Sequence, residues 1–211
     1  MTVHTMAFVS LEPGDHLTRE EFHRRYCARR DIRKAELIDG VVYMPSPVRA
    51  ELHGAPHAAV IGWLYAYRAR NRMVRVLDNA TVYLEGENEI QPDACLWYEA
   101  SGGPRLTASN YLEGAPQLVV EVAASSASYD LHEKKEAYRR SGVREYIVWR
   151  VLDGVIDWFE LRNGAYISRE PDENGIIESV QFAGLRLHIA SLLADDAAGV
   201  LAALRQGEEG Q

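Results

Sequence analysis

Residues 118–124 read LVVEVAA, an almost wholly apolar run of strand length whose one charged residue is Glu121. Bounded by EGAP before it and SSAS after it, the run has the composition of a strand buried on both faces. Alternate side chains of a strand share a face, so Leu118, Val120 and Val122 point one way and Val119, Glu121 and Ala123 the other. A carboxylate in the middle of such a strand is costly unless it is paired or holds a metal. The plain alternative is a structural salt bridge to a neighbouring Arg or Lys, and Glu121 alone does not choose between the two.

Upstream, QPDACLWY (residues 91–98) carries a second lone carboxylate, Asp93, which shares a strand face with Cys95 and Trp97, opposite Ala94 and Leu96. Pro92 cannot donate to a sheet ladder and belongs at a strand start, which puts Asp93 near a strand end where a site can open to solvent. Two carboxylates on adjacent strands supply what Mg²⁺ or Mn²⁺ needs, with water and a substrate phosphate completing the coordination. A cation held there activates water and neutralises charge on the phosphate.

The remaining chain alternates helical and strand patterns. Thr18 followed by Glu21 is a capping-box signal for a helix to about Arg29. In AELIDGVVYMPSP, Asp39-Gly40 predicts a hairpin with strands at 34–38 and 41–44, ended by Pro45 and Pro47. Val60, Ile61, Leu64 and Tyr67 recur at helical spacing between His57 and Arg70. MVRVLDNATVYL and the run from Ile90 to Tyr98 read as strands separated by the turn EGENE, and SGGPRLTASNYLEGAP reads as a loop. After SSAS comes a helix from about Ser128 to Arg140, closed by Gly142. EYIVWRVL and VIDWFEL flank Asp153-Gly154, a second hairpin; shorter strands follow near 165–169, 176–181 and 185–189, then a helix from about Ser191 to Arg205 and a frayed GEEGQ tail. The fold class is therefore α/β (α+β): a mixed sheet flanked by helices, with C-terminal hairpins and a C-terminal helix. Residues 1–211 read as one domain with its core at about 18–190.

Composition narrows the classes. With 47% hydrophobic and 26% charged residues the chain is ordinary globular material. No apolar run approaches the ~20 residues that span a bilayer, and MTVHTMAFVS lacks the basic and apolar regions of a secretory signal, so the expectation is a cytoplasmic protein with no membrane partner. Cys27 and Cys95 are far apart and form no CxxC pair, which leaves no disulfide framework or zinc ribbon. The net charge of −8 runs against simple nucleic-acid binding. Two basic clusters stand out, Arg24 to Lys34 and Arg68 to Arg75; solvated helix faces are the plain reading of both, and a phosphate-binding footprint is the alternative.

The order PD, a gap of roughly thirty residues, then an acidic residue in an apolar strand resembles the PD-(D/E)XK nuclease superfamily. That pattern puts a lysine two places after the second acid; here the position is Ala123, and the lysine is missing. The next helix offers a replacement. Leu131, Lys134, Tyr138 and Ser141 form one stripe whose apolar members should face the sheet and carry Lys134 inward; Lys135 is an alternative that periodicity does not separate. More widely, ELIDGVVYMPSP, HAAVIGWL, QPDACLWY, EGAPQLVVEVAASS and YDLHEKKEAYRRSGVREYIVW together resemble the Uma-type restriction endonuclease family over about residues 18 to 190. The resemblance implies a restriction-endonuclease-like core and a site made of Glu36, Asp93, Glu121 and Lys134.

Glu36 shares a strand face with Ile38 near the Asp39-Gly40 turn, and without the resemblance it would read as a surface carboxylate. His57 stands where this family often carries a histidine, for phosphate contact or proton transfer. His53 lies four residues before it, but Pro56 between them argues against a helical two-histidine zinc site. Tyr129 and Tyr138 are candidate phosphate contacts, with core packing the plain alternative for Tyr138. Ser125, Ser126 and Ser128 lack a GxSxG elbow and read as turn and cap residues. The expected function is a Mg²⁺- or Mn²⁺-dependent endonuclease acting on DNA. The alternative is an inactive nuclease fold that binds nucleic acid or protein. A third reading, a homodimer, draws on Trp149, Trp158 and Phe159, for which core packing is the plain alternative.

Overall fold

The computed structural model describes residues 10–45, 49–99 and 103–206. Pro47 and the GEEGQ tail lie outside them, as do the first nine residues. Thr18 caps α1 (Arg19–Ala28), its hydroxyl accepting the Glu21 N–H at 3.3 Å. Only half of the capping box forms, because the Glu21 carboxylate turns away to Arg24 and Arg25. Next come β1 (Glu36–Ile38) and β2 (Val41–Tyr43). Asp39 and Gly40 join them with φ of 51° and 76°, the double left-handed pair that a two-residue hairpin turn demands. A π-turn, Ala50–Gly54, leads into α2 (Ala55–Arg70). Pro56 does not break this path, because the first turn of a helix has no internal partner for its missing N–H.

The stretch expected as two long strands is four short ones: β3 (Val74–Asp78), β4 (Val82–Leu84), β5 (Asn88–Ile90) and β6 (Ala94–Tyr98). Asn79 is left-handed at φ 48° and breaks the first; Pro92 breaks the second. The expected loop carries β7 (Arg105–Leu106) and β8 (Leu112–Glu113), too short for a sequence pattern to reveal. Then follow β9 (Leu118–Ala123), α3 (Ala127–Tyr129), a second π-turn at Asp130–Lys134 and α4 (Lys135–Ser141), closed by left-handed Gly142. The chain ends in β10 (Glu145–Arg150), β11 (Val155–Arg162), β12 (Ala165–Ser168), β13 (Ile176–Glu178), β14 (Arg186–His188), α5 (Ile189–Leu193) and α6 (Ala197–Gln206). The single C-terminal helix that was expected is thus two, parted at Asp195, whose φ is 55°.

One sheet runs β2-β1-β5-β4-β8-β7 and another β12-β11-β10-β9-β6-β3; β13 and β14 pair separately. β9 sits inside the second sheet, parallel to β10 and antiparallel to β6. Its even-numbered residues, with Ala94 and Leu96 of β6, pack against Val60, Trp63, Leu64 and Tyr67 of α2 and against the C-terminal elements. Val119, Ala123, Cys95 and Trp97 face the other way, toward the first sheet and toward Ala137 and Tyr138 of α4. Both alternation patterns read from the sequence hold. Trp149, Trp158 and Phe159 are buried within the chain itself, so they are core and not an open interface. Among the described residues, no helix is long and apolar enough to cross a membrane.

Candidate functional site

The β6–β9 register pairs Ala94 with Val120, and one further step sets Asp93 opposite Glu121. Directly opposed residues of an antiparallel pair share a face, so both carboxylates point toward the first sheet. Both are buried, at 3% and 2% exposure. Asp93 Oδ2 accepts the Val122 N–H at 2.8 Å and lies 3.2 Å from His53 Nε2, while Oδ1 is 3.5 Å from Lys34 Nζ. Burial alone would raise the Asp93 carboxyl; the His53 hydrogen bond and the Lys34 charge outweigh it and hold the group well below the usual carboxylate range.

Glu121 Oε1 accepts from Lys134 Nζ at 3.0 Å and from the Tyr138 hydroxyl at 2.8 Å. The Lys134 ammonium also lies 3.1 Å from Glu36 and 3.7 Å from Asp130. Glu36 reaches it from the first sheet, its other oxygen accepting the Gln91 N–H at 2.8 Å. The site therefore sits where the two sheets and the helical segment 127–141 meet. The π-turn carries Asp130 and Lys134 to the buried side together with Ala137 and Tyr138. Burial pushes Glu121 up to about 8, with Lys134 opposing and Asp93, Asp130 and Glu36 adding to the rise. Burial would lower Lys134, but the surrounding carboxylates hold its ammonium well above the ordinary lysine value.

Every sequence-derived site residue can be located. Glu36, Asp93, Glu121 and Lys134 come together. Lys135 goes elsewhere, its ammonium 3.4 Å from the centre of the Phe159 ring. Tyr138 is fully buried, so its hydroxyl serves Glu121 and does not face solvent as a phosphate contact would. His57 Nε2 lies 2.9 Å from the Asp93 carbonyl and 3.1 Å from Asp78. Its ring is 5.5 Å from that of His53, so the histidine pair set aside because of Pro56 does converge, though on Asp93. From the sequence, His53 reads only as half of a zinc pair, and Lys34 and Asp130 have no place in the site. Asp130 stands four residues before Lys134, and that spacing was the available signal. Lys34 was hidden inside a basic run.

Among the described residues no three His, Cys, Asp or Glu side chains converge as a ready-made cation cage. A hard cation such as Mg²⁺ needs only one or two carboxylates, the rest being water and substrate oxygen. Asp93 and Glu121 suit it as oxygen donors, and the buried excess of carboxylates over ammonium is relieved by positive charge. Two buried atoms beside this cluster, His53 Nδ1 and the Tyr129 hydroxyl, have no hydrogen-bond partner, which fits a place where water or ligand completes the network. The Tyr129 ring lies 5.8 Å from the Lys134 ammonium.

A family model described as Uma2, "Putative restriction endonuclease", matches residues 19–190. No curated protein matches the chain. Among solved structures, the crystal structure of a "putative nuclease belonging to DUF820" from Anabaena variabilis is similar at a TM-score of 0.63, with 15% sequence identity over 84% of this chain and 98% of that one. At that identity the likeness concerns the fold, a mixed α+β nuclease-like architecture.

Proposed function

The chain belongs to the Uma2 family, and from that premise we propose a Mg²⁺- or Mn²⁺-dependent endonuclease that hydrolyses phosphodiester bonds of DNA. The observation that carries the reading is the buried Lys134 ammonium, held on Glu121 and Glu36 beside Asp93. It comes from the helical segment after β9, whereas the superfamily pattern would place its lysine at the position of Ala123.

Asp93 and Glu121 would hold the cation, which when bound supplies Lewis-acid activation of water and charge neutralisation at the phosphate. The protein's own groups have separable tasks. His53, Lys34 and the Val122 N–H keep Asp93 ionised and aimed. Glu36 and Asp130 keep Lys134 protonated, so Lys134 acts as a hydrogen-bond donor and a positive charge toward water or phosphate oxygen, not as a base. Tyr138 fixes the Glu121 rotamer from the core side.

Purified protein is expected to nick supercoiled plasmid with Mg²⁺ or Mn²⁺, and Asp93→Ala to abolish it. Cleavage by that variant at the native rate would sink the proposal. A second reading, a binding module without cleavage, draws on Ala123 standing where the superfamily pattern has its lysine and on an ammonium already shared by carboxylates. Calorimetry separates the two: DNA binding without Mn²⁺ binding would favour the module.

A further inference from the structure

Away from that site, a thiol and an imidazole of α1 line up with a carboxylate of β5. Cys27 is exposed, and its Sγ lies 3.4 Å from Nε2 of His23, one helical turn back. His23 Nδ1 lies 3.0 and 3.2 Å from the two oxygens of Glu89, a β5 carboxylate only 1% exposed. The Tyr83 hydroxyl is 3.2 Å from the same nitrogen. The rings of Tyr83 and Tyr111, themselves 5.3 Å apart, stand edge-on to the imidazole at 5.8 and 5.1 Å and pack against it together. The Arg19 guanidinium lies 5.4 Å from the Tyr83 ring and adds positive charge near Glu89.

A carboxylate on Nδ1 keeps the proton there and turns the Nε2 lone pair toward the sulfur. That order, nucleophile then base then a group orienting the base, is the arrangement that activates thiols. The exposed sulfur makes it accessible to reagents, whereas Cys95 is buried in an apolar cluster, with burial pushing its thiol up to about 12.

We propose that Cys27 is a thiol-modification site that exchanges with low-molecular-weight disulfides, with His23 as its base and Glu89 as the positioning residue. The Cys27 thiol proton passes to His23 Nε2, and the thiolate attacks one sulfur of the small disulfide. The S–S bond of the reagent breaks as a mixed disulfide forms at Cys27. The departing thiolate then takes the proton from His23, so Cys27 is oxidised and half of the reagent is reduced.

The test follows thiol release with 5,5′-dithiobis(2-nitrobenzoic acid), then mass spectrometry after oxidised glutathione, on the full chain at neutral pH. The native protein should show one fast equivalent, mapped to Cys27 and absent in Cys27→Ser, with Cys95 reacting only in denaturant. His23→Gln should slow the fast phase about tenfold or more, and Glu89→Gln by a smaller factor. Should an unpaired Glu89 unfold the single variant, His23→Gln with Glu89→Gln removes the charge and should show the same slow rate. If His23 and Glu89 serve only to tie α1 to the sheet, the folded His23 variants will react at the native rate, and that result overturns the proposal. Label on Cys95 in place of Cys27 overturns it equally.

Discussion

Two buried glutamates on neighbouring strands, Glu121 of β9 and Glu145 of β10, meet opposite fates. Glu145 is fully buried and faces the α2 side of the sheet, where its partners are neutral donors. Oε1 accepts from the Trp158 indole at 3.0 Å and the Val180 N–H at 3.2 Å; Oε2 accepts from the Ser179 hydroxyl and from the Gln181 N–H at 3.3 Å. These bonds tie β10 to β11 and to the turn after β13, and they leave little accepting capacity for anything else. Glu121 faces the other side, among Glu36, Asp93 and Asp130, with Lys134 as its ammonium partner and two unpartnered polar atoms beside the cluster. A carboxylate in an apolar strand is therefore no sign of a site by itself. The sign is unbalanced charge with hydrogen-bonding capacity left over.

The contrast can be tested in order of expected effect. Glu121→Ala should lower Mn²⁺-dependent plasmid cleavage about a thousandfold or more if, as proposed, Glu121 holds the cation. Glu145→Ala should leave Mn²⁺ binding intact by calorimetry but destabilise the fold by about 2–4 kcal/mol in urea, because its buried donors lose their acceptor. The reverse assignment of losses would break the comparison. Lys134→Met should lower the melting temperature of the metal-free chain, equivalent to about 3 kcal/mol, since it leaves the carboxylates uncompensated. Mn²⁺ should raise that temperature more in the variant than in the native chain; an equal rise would mean the ammonium and the cation do not share one charge cluster.

A pH series gives a smaller effect. Glu121 has its folded-state pKa raised from 4.5 to about 8, so the folded chain holds a proton that the unfolded chain has released between those values. The resulting stability is fully present below about 4.5 and is lost as pH rises toward about 8, and Glu121→Gln should flatten that slope in thermal melts across the window. Lys135→Ala, next door to Lys134, should change stability by less than about 1 kcal/mol and leave cleavage rate unaltered, because its partly exposed ammonium lies over the Phe159 ring. A large loss of activity there would move the functional lysine by one residue.

Much of this arrangement was legible in the chain. The period-two alternation of LVVEVAA and DACLWY assigned the faces of Glu121 and Asp93, because strand geometry is local and strict. The apolar members of the Leu131–Tyr138 stripe pointed a lysine inward by the same kind of reasoning, without separating Lys134 from Lys135. What escaped were features set by distant partners. The splitting of 74–84 and 90–98 into strands of different sheets depends on which neighbours each piece finds: β3 pairs with β6, while β4 pairs with β5 and β8. The arrival of Lys34 and His53 at Asp93 depends on how the first sheet and the π-turn at Ala50–Gly54 pack against β6, and no local pattern encodes that.

The sequence by itself determined the class of fold, the strand faces, the hairpin at Asp39-Gly40 and the family resemblance, since propensity and periodicity act over a few residues. Only the tertiary structure decided that Glu36 from one sheet meets Glu121 from the other around one ammonium, and that Glu145 closes on neutral donors instead. The physical reason is that a buried charge is balanced by whatever lies within a few ångströms of it, and those neighbours are far apart in the chain until it folds.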